Sequence, residues 1–291
     1  MTRANTITLR ACAKINLSLQ ILGKRHDGYH ELVTVFQTVD LADKLTVSAG
    51  GSGLRIAATG IPVPEHEGNL CLRAACRYFE AAALQPAATI QLEKKIPVGA
   101  GLGGGSADAA ATVCALHRLV AADVNLGQIA ADVGSDVAFF LRGGTALGEG
   151  RGERITPCPQ PTTGYVLLTN PDLRISTRAA YGLLTAASYS DGARTRELFD
   201  RLRQGACLLT CTDLLVNDFE PVIEAHYPQL RRLRERLLSA GAAAAMLSGS
   251  GSCVFGLFGD EAVADRCARA LGEDGYWHYA GKMVHYAPCE H

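Results

Sequence analysis

Pro97-Val98-Gly99-Ala100-Gly101-Leu102-Gly103-Gly104-Gly105-Ser106-Ala107 sets five glycines in the seven positions 99–105 and then enters an alanine-rich stretch, 106–121, that reads as a helix beginning at Ser106. A plain turn between strand and helix needs one or two glycines, and every further one costs backbone entropy on folding. Such density points to a ligand that approaches the backbone closely. The start of a helix leaves N–H groups without intrahelical acceptors and carries roughly half a positive charge, so the natural ligand is a phosphate.

Two familiar phosphate loops fit less well. Gly99-x-Gly101-x-x-Gly104, with Asp123 further on, matches a dinucleotide fingerprint and keeps a nicotinamide dehydrogenase among the alternatives. That fingerprint follows the first strand of a βαβ unit, whereas here several strands that read as antiparallel, and a helix, come first. A Walker A loop needs Lys-Ser/Thr after its last glycine, and Gly105 is followed by Ser106-Ala107.

Toward the N-terminus, Ile7, Leu9 and Ala11 alternate with polar residues, and Leu17, Leu19 and Ile21 repeat the pattern before a turn at Gly23 to Gly28. Further strands are expected at 31–39, 44–57 and 88–94, and a helix over Asn69 to Leu84. After the glycine loop come helices at 125–132 and near Asp136. Pro157-Cys158-Pro159-Gln160-Pro161 suits neither a helix nor a central strand, and is read as the boundary between units 1–157 and 158–291. The second unit is expected to hold strands at 164–169, 243–247, 253–258 and 277–286, with helices near 177–186, 195–204, 229–239 and 260–271. Strands first and helices afterwards give an α+β class.

Lys and Arg total 28 against 29 Asp and Glu, a formal charge of −1, so no cationic excess exists to neutralise a nucleic-acid backbone. The basic cluster Arg231, Arg232, Arg234 and Arg236, interleaved with Leu230, Leu233 and Leu237, reads as the solvated face of an amphipathic helix. No stretch approaches the ~20 apolar residues of a membrane span. Arg3, Arg10 and Lys14 interrupt any apolar signal core, so export is not expected. Ten cysteines without a Cys-x-x-Cys pair and eight histidines without an HExxH motif leave no metal ligands to assign, and reduced cytoplasmic thiols are expected.

Pro-x-x-x-Gly-Leu-Gly-Gly-Gly-Ser resembles the phosphate loop of the GHMP kinase superfamily, which includes galactokinase and the homoserine, mevalonate and phosphomevalonate kinases. Ala13-Lys14-Ile15-Asn16-Leu17 with Asp27-Gly28-Tyr29-His30 is similar to those members that act on a cytidine-diphosphate-bearing alcohol in isoprenoid-precursor synthesis. Gly134-Ser135-Asp136-Val137 and Leu247-Ser248-Gly249-Ser250-Gly251-Ser252 are similar to the later motifs. The resemblance spans nearly the whole chain. It implies a two-domain fold, with an N-terminal domain like the second domain of ribosomal protein S5 and a C-terminal ferredoxin-like α/β plait. It also implies ATP and Mg2+ as cofactors, a small-molecule acceptor, and a nucleotide held along Pro97 to Ala107. Ala107 departs from the pattern, since many relatives carry a second serine there.

By itself Asp136 reads as a helix N-cap, and Lys14 as a solvated edge lysine. The resemblance implies a different pairing, with Asp136 as the base that takes the acceptor's hydroxyl proton and Lys14 as the cation beside it. Asn16, two residues along the strand from Lys14, faces the same side and is a substrate-binding candidate. Tyr29 and His30 are implied to read the cytosine, by stacking and through the base edge. Tyr181 would form a second aromatic wall, with Thr177 on the same helical face. The rivals are another kinase of the superfamily and, given the ribosomal resemblance, an RNA-interaction module, against which the absence of a basic surface argues.

Overall fold

The alternation of apolar and polar residues at both ends of the first fifty positions produces two long strands, β1 (Thr6–Lys24) and β2 (His30–Ala49), in a computed structural model that describes residues 5–64, 66–159 and 164–290. They pair antiparallel from Thr6↔Ser48 to Lys24↔His30. Register shifts between Cys12 and Lys14 and between Asn16 and Ser18 bracket the two polar residues of the Ala13-Lys14-Ile15-Asn16 stretch, and such bulges re-aim side chains. The alternation fades in the middle. Every residue from Ala11 to Ile21 is buried, because this part of β1 is covered on both faces. Ala11 packs with the N-terminal helices, whereas Ala13, Ile15 and Leu17 pack with Val166, Leu168 and Phe255 of the second sheet.

The expected strand at 44–57 is two strands. Gly50 and Gly51, both at positive φ, end β2 and turn the chain into β3 (Gly53–Gly60). The helix α1 (Leu70–Ala81), capped by the Asn69 side chain, then carries the chain to β4 (Ala87–Lys94), which runs parallel to β3. The opening is therefore not wholly antiparallel. α2 (Gly104–Val120) begins two residues before the expected Ser106, with Gly103 at the cap in a left-handed conformation. α3 (Leu126–Val133) and α4 (Val137–Arg142) follow as expected.

Two strands had no counterpart in the sequence reading: β5 (Thr145–Gly150) and β6 (Arg154–Pro157), which extend the sheet to the order β3-β4-β2-β5-β6. Thr145-Ala-Leu-Gly-Glu-Gly holds two glycines and almost no β-branched residues, so its strand state comes from pairing with β2 rather than from local preference. Pro157 ends β6, and Cys158 donates its N–H to Thr145. Gln160 and Pro161 of the expected boundary lie outside the described residues.

The remainder forms β7 (Tyr165–Asn170), α5 (Thr177–Gly182), α6 (Ala193–Arg203), α7 (Glu220–His226), α8 (Pro228–Ser239), β8 (Ala244–Leu247), β9 (Val254–Phe258), α9 (Glu261–Glu273) and β10 (Trp277–Lys282). Its antiparallel sheet has the order β10-β7-β9-β8, which with the intervening helices is the βαββαβ plait of a ferredoxin-like fold. α7 was not foreseen, being a short helix that opens at Glu220-Pro221. The arginines of α8 lie on its solvated face, where Arg231 and Arg234 pair with Glu224. Beyond β10 the chain returns to the first sheet: Val284 donates to Thr38, and Cys289 forms a disulfide with Cys114 of α2, their Cα atoms 5.0 Å apart. The expectation that every thiol is reduced is corrected at this pair, whose separation of 175 residues conceals it in the sequence.

One buried ionic cluster ties the first sheet to α2. Lys94 at the end of β4 donates to Asp43 of β2 and, at 2.7 Å, to Asp108 of α2, and all three side chains are almost fully buried. Asp43 also accepts the N–H groups of Lys95 and Ile96, at 2.5 and 2.9 Å. Burial works against the Lys94 charge, but Asp108 and Asp43 overcome it and hold its pKa above the usual lysine value. Two carboxylates facing one ammonium leave a surplus negative charge, and burial pushes Asp108 up to about 8. Removing Asp43 takes one carboxylate from Lys94 and strands the Lys95 and Ile96 N–H groups in a buried site. We expect Asp43→Ala to lower unfolding stability by about 3–5 kcal/mol, read from urea denaturation; a loss below about 1 kcal/mol would show that the cluster contributes little.

Candidate active site

The glycine loop is positioned by its carbonyls. Ala100 accepts the Cys253 N–H, Leu102 accepts the Lys14 N–H, and Gly101 accepts both the Lys14 ammonium at 2.8 Å and the Ser248 hydroxyl at 3.0 Å. With its acceptors turned into the protein, the loop keeps its amides for the opposite side. In α2 the first intrahelical bond runs from Ala107 N–H to Gly103 at 2.9 Å, so the amides of Gly104, Gly105 and Ser106 have no intrahelical partner. Gly99, Gly101 and Gly103 all have φ near +70°, and a Cβ on Gly103 would press on Phe140 at 2.8 Å.

Above these amides lies a cavity of about 950 Å³. Pro97, Val98, Gly99, Ala100, Gly101, Gly103, Gly104, Gly105 and Ser106 line it, together with Lys14, Asn16, Tyr29, His30, Asp136, Thr177 and Tyr181. Leu102 and Ala107 do not: both side chains are buried in the apolar interior, and the Ala107 amide is already bonded within the helix.

At the centre stands Lys14. It is 4% exposed, and its ammonium donates to Asn16 Oδ1 at 2.6 Å and to Gly101 O at 2.8 Å, with Asp136 Oδ2 at 3.8 Å. Two of its three protons are thus committed, and the Asp136 carboxylate is the charge it faces. Burial lowers the Lys14 pKa, and Asp136 opposes that shift. Asn16 is held in turn by donating to Thr34 Oγ1 at 2.7 Å. Asp136 does occupy the cap position of α4, but its side chain makes no capping hydrogen bond and keeps a third of its surface exposed in the cavity. Its carboxylate is free to accept a proton from a ligand.

Two arms leave this centre. In one, His30 stacks on Tyr181 with centroids 4.7 Å apart, and Tyr181 meets Phe219 edge-on at 5.0 Å. Burial, and then Lys24, lower the His30 pKa, which keeps the imidazole neutral and able both to donate and to accept. Burial raises the Tyr181 hydroxyl, and the Asp136 charge adds to the shift. Tyr29 lines the cavity at its rim, 55% exposed and under the Arg151 guanidinium. Thr177 lies beside the 248–252 loop, its hydroxyl 3.4 Å from that of Ser250. The other arm is lined by apolar side chains that include Val63, Pro64, Leu70 and Leu92, a surface suited to a flat ring.

The family model of the GHMP kinases N terminal domain matches residues 69–144, and that of the GHMP kinases C terminal matches 195–276. A 4-diphosphocytidyl-2-C-methyl-D-erythritol kinase of Moorella thermoacetica is 42% identical over 277 residues, covering 92% of this chain and 96% of the relative. Another, of Gloeobacter violaceus, is 42% identical over 281 residues, covering 93% and 92%. The chain belongs to the 4-diphosphocytidyl-2-C-methyl-D-erythritol kinase family of GHMP kinases. A crystal structure of 4-(cytidine 5'-diphospho)-2C-methyl-D-erythritol kinase superposes with a TM-score of 0.83 at 36% identity, covering 96% of this chain and all of the other. A homoserine kinase from Cytophaga hutchinsonii shares the fold, with a TM-score of 0.76 at 22% identity and coverage of 99% and 98%. The nicotinamide dehydrogenase and the RNA module are thereby set aside, and ATP is the nucleotide that GHMP kinases use.

Several residues of this kinase site carry no sequence signal. Val63, Pro64 and Leu70 reach the cavity only because the β3–α1 connection folds over the glycine loop, and Phe219 enters from a helix start that was not foreseen. Asn217 is a further case. Its amide donates to Leu247 O and Gly249 O, both at 2.8 Å, and so holds the loop that clamps Gly101.

Gly101 and Gly99 share a left-handed backbone but not their surroundings. A Cβ on Gly101 would overlap the Ser248 carbonyl, whereas one on Gly99 meets nothing within 4 Å. Gly101→Ala should therefore weaken ATP binding on the order of tenfold or more, and Gly99→Ala by a few-fold through backbone strain alone. Titration calorimetry with ATP checks the pair, and equal affinities in the two variants would contradict this account of the clamp.

Proposed function

We propose that the chain transfers the γ-phosphoryl group of ATP to the 2-hydroxyl of 4-diphosphocytidyl-2-C-methyl-D-erythritol, a step of the non-mevalonate isoprenoid precursor pathway. The observation that carries this reading is the Lys14–Asp136 pair, 3.8 Å apart, at the junction of the two arms. The Gly104, Gly105 and Ser106 amides would cradle the phosphates of a nucleotide whose base enters the apolar arm. The acceptor's cytosine would lie in the arm of His30, Tyr181 and Tyr29, with Asn16 and Thr177 as further contacts.

Phosphoryl transfer asks little covalent work of the protein; it needs positioning and charge stabilisation. Asp136 accepts the proton of the acceptor hydroxyl as that oxygen attacks phosphorus. Lys14 stabilises charge on the transferring oxygens. Gly101 and Asn16 hold the ammonium in place, so no reorganisation is needed at the moment of transfer. The Ser106 hydroxyl that α2 brings to the cavity wall is an oxygen donor that suits a hard cation such as Mg2+, and with the phosphates it would hold that ion. When bound, Mg2+ supplies neutralisation of phosphate charge.

The division into 1–157 and 158–291 stays our reading of the two units, supported by the distinct sheets on either side. We place the protein in the cytoplasm as a small-molecule enzyme. No helix among the described residues is long and apolar enough to cross a membrane.

Asp136→Asn should lower kcat ~10²–10⁴-fold while ATP affinity stays within a few-fold, because the amide keeps the shape but accepts no proton. ADP release assayed with the purified, folded variant would count against Asp136 as base if the rate stayed within tenfold of wild type.

Cytosine recognition is expected to discriminate against uracil, which exchanges an amino donor for a carbonyl acceptor and leaves a buried mismatch of ~1–3 kcal/mol. Comparable kcat/KM for the cytidylyl and uridylyl acceptors would refute this part of the assignment.

A further inference from the structure

The acceptor proposed above carries two phosphates between its base and its reacting alcohol, and none of the residues assigned so far neutralises them. The β5–β6 turn holds a cation in that interval. Arg151 sits at its tip between Gly150 and Gly152, at φ of +77° and +101°, and its own N–H donates to Glu153 at 2.6 Å. The turn is thus pinned by its own side chain. On one side the Arg151 guanidinium lies 4.8 Å from the centroid of the Tyr29 ring. On the other, the neighbouring Gly152 is so close to the catalytic centre that a Cβ on it would lie 3.9 Å from Asp136 Oδ1. Arg151 therefore spans the gap between the aromatic arm and the base.

Its charge has no ion-pair partner among the described residues and acts on the Asp27 carboxylate only from a longer distance. Nearby, Arg25 is taken by Asp27 and Glu31, and Arg154 by Glu31, whereas among the described residues no carboxylate forms an ion pair with Arg151. Lys24 and Arg178 line the same arm, also without a carboxylate within ion-pair distance among the described residues. In a chain of formal charge −1, three unpaired cations around one arm of one cavity call for an anionic ligand. A guanidinium suits phosphate best, because its planar fork can bond two oxygens at once.

We propose that Arg151 binds the diphosphate of the acceptor and so sets the distance between the recognised base and the hydroxyl presented to Asp136. The inference rests on the cytidine-diphosphate reading of the acceptor, and it differs from the alternative in which Arg151 merely supports the Tyr29 ring. A support role acts on the base alone; a phosphate role grows with the number of phosphates.

The full-length protein, with its donor site filled by a non-hydrolysable ATP analogue, is titrated calorimetrically with cytidine, CMP and CDP. Arg151→Ala is expected to weaken CDP by roughly 10- to 100-fold, CMP by less, and cytidine by less than about twofold. Arg151→Lys should recover part of the loss. In steady state, the KM for the acceptor should rise in Arg151→Ala while that for ATP does not move. An equal loss for all three ligands, or no loss for CDP, overturns the proposal. Parallel titrations with uridine, UMP and UDP separate the two readings: equal wild-type affinity for both series would defeat cytosine recognition, and the phosphate-dependent loss in Arg151→Ala is still read from either series.

Discussion

A single ammonium group organises the centre of this molecule. Lys14 is buried, and a buried charge is tolerated only where its protons are met. Asn16, the Gly101 carbonyl and Asp136 meet them, and these come from β1, from the glycine loop and from the cap of α4. The Lys14 backbone N–H bonds Leu102 as well. One residue thereby fixes where the glycine loop passes and where Asp136 stands, and the need to satisfy its charge sets the spacing between the two.

The rest of the architecture keeps that junction rigid. On the N-terminal side, the Asp43–Lys94–Asp108 cluster locks β2, β4 and α2 together beneath the amides of Gly104, Gly105 and Ser106. On the C-terminal side, the 248–252 loop presses against Gly101 through Ser248, and Asn217 holds that loop from behind. The glycines at this contact are required by space as much as by dihedral angle, since a methyl group at Gly101 would collide with backbone. Burial of β1 between two layers explains why a strand carrying Lys14 and Asn16 is an almost unbroken buried run.

The aromatic arm shows how a local motif is completed from afar. Tyr29 and His30 lie at the β1–β2 turn, but the partner of His30 is Tyr181, which arrives from the other sheet's first helix. Arg151 arrives from a hairpin whose first strand, β5, has little intrinsic preference for that state. A ligand bridging base and alcohol would touch the β1–β2 turn, α5, the β5–β6 turn and α4, and each contributes one kind of chemistry.

The sequence by itself determined the α+β class and the position of the glycine loop, because both report short-range requirements, backbone freedom and a helix start; Lys14, Asp136, Asn16, His30 and Tyr181 were marked by the resemblance to GHMP kinases, and the fold gathers them around one cavity. It misjudged the boundaries at 44–57 and at the start of α2, where glycines could equally end, turn or begin an element. It could not reveal β5, whose strand state comes from pairing with β2, nor β6, which pairs with β5, nor the Cys114–Cys289 link. Only the tertiary structure decided that Leu102 and Ala107 face the interior, that Asp136 leaves the cap of α4 uncapped, and that Tyr29 stands at the rim beside Arg151. Those outcomes depend on which surfaces meet across the two sheets, and contacts between residues more than a hundred positions apart leave no trace in local periodicity.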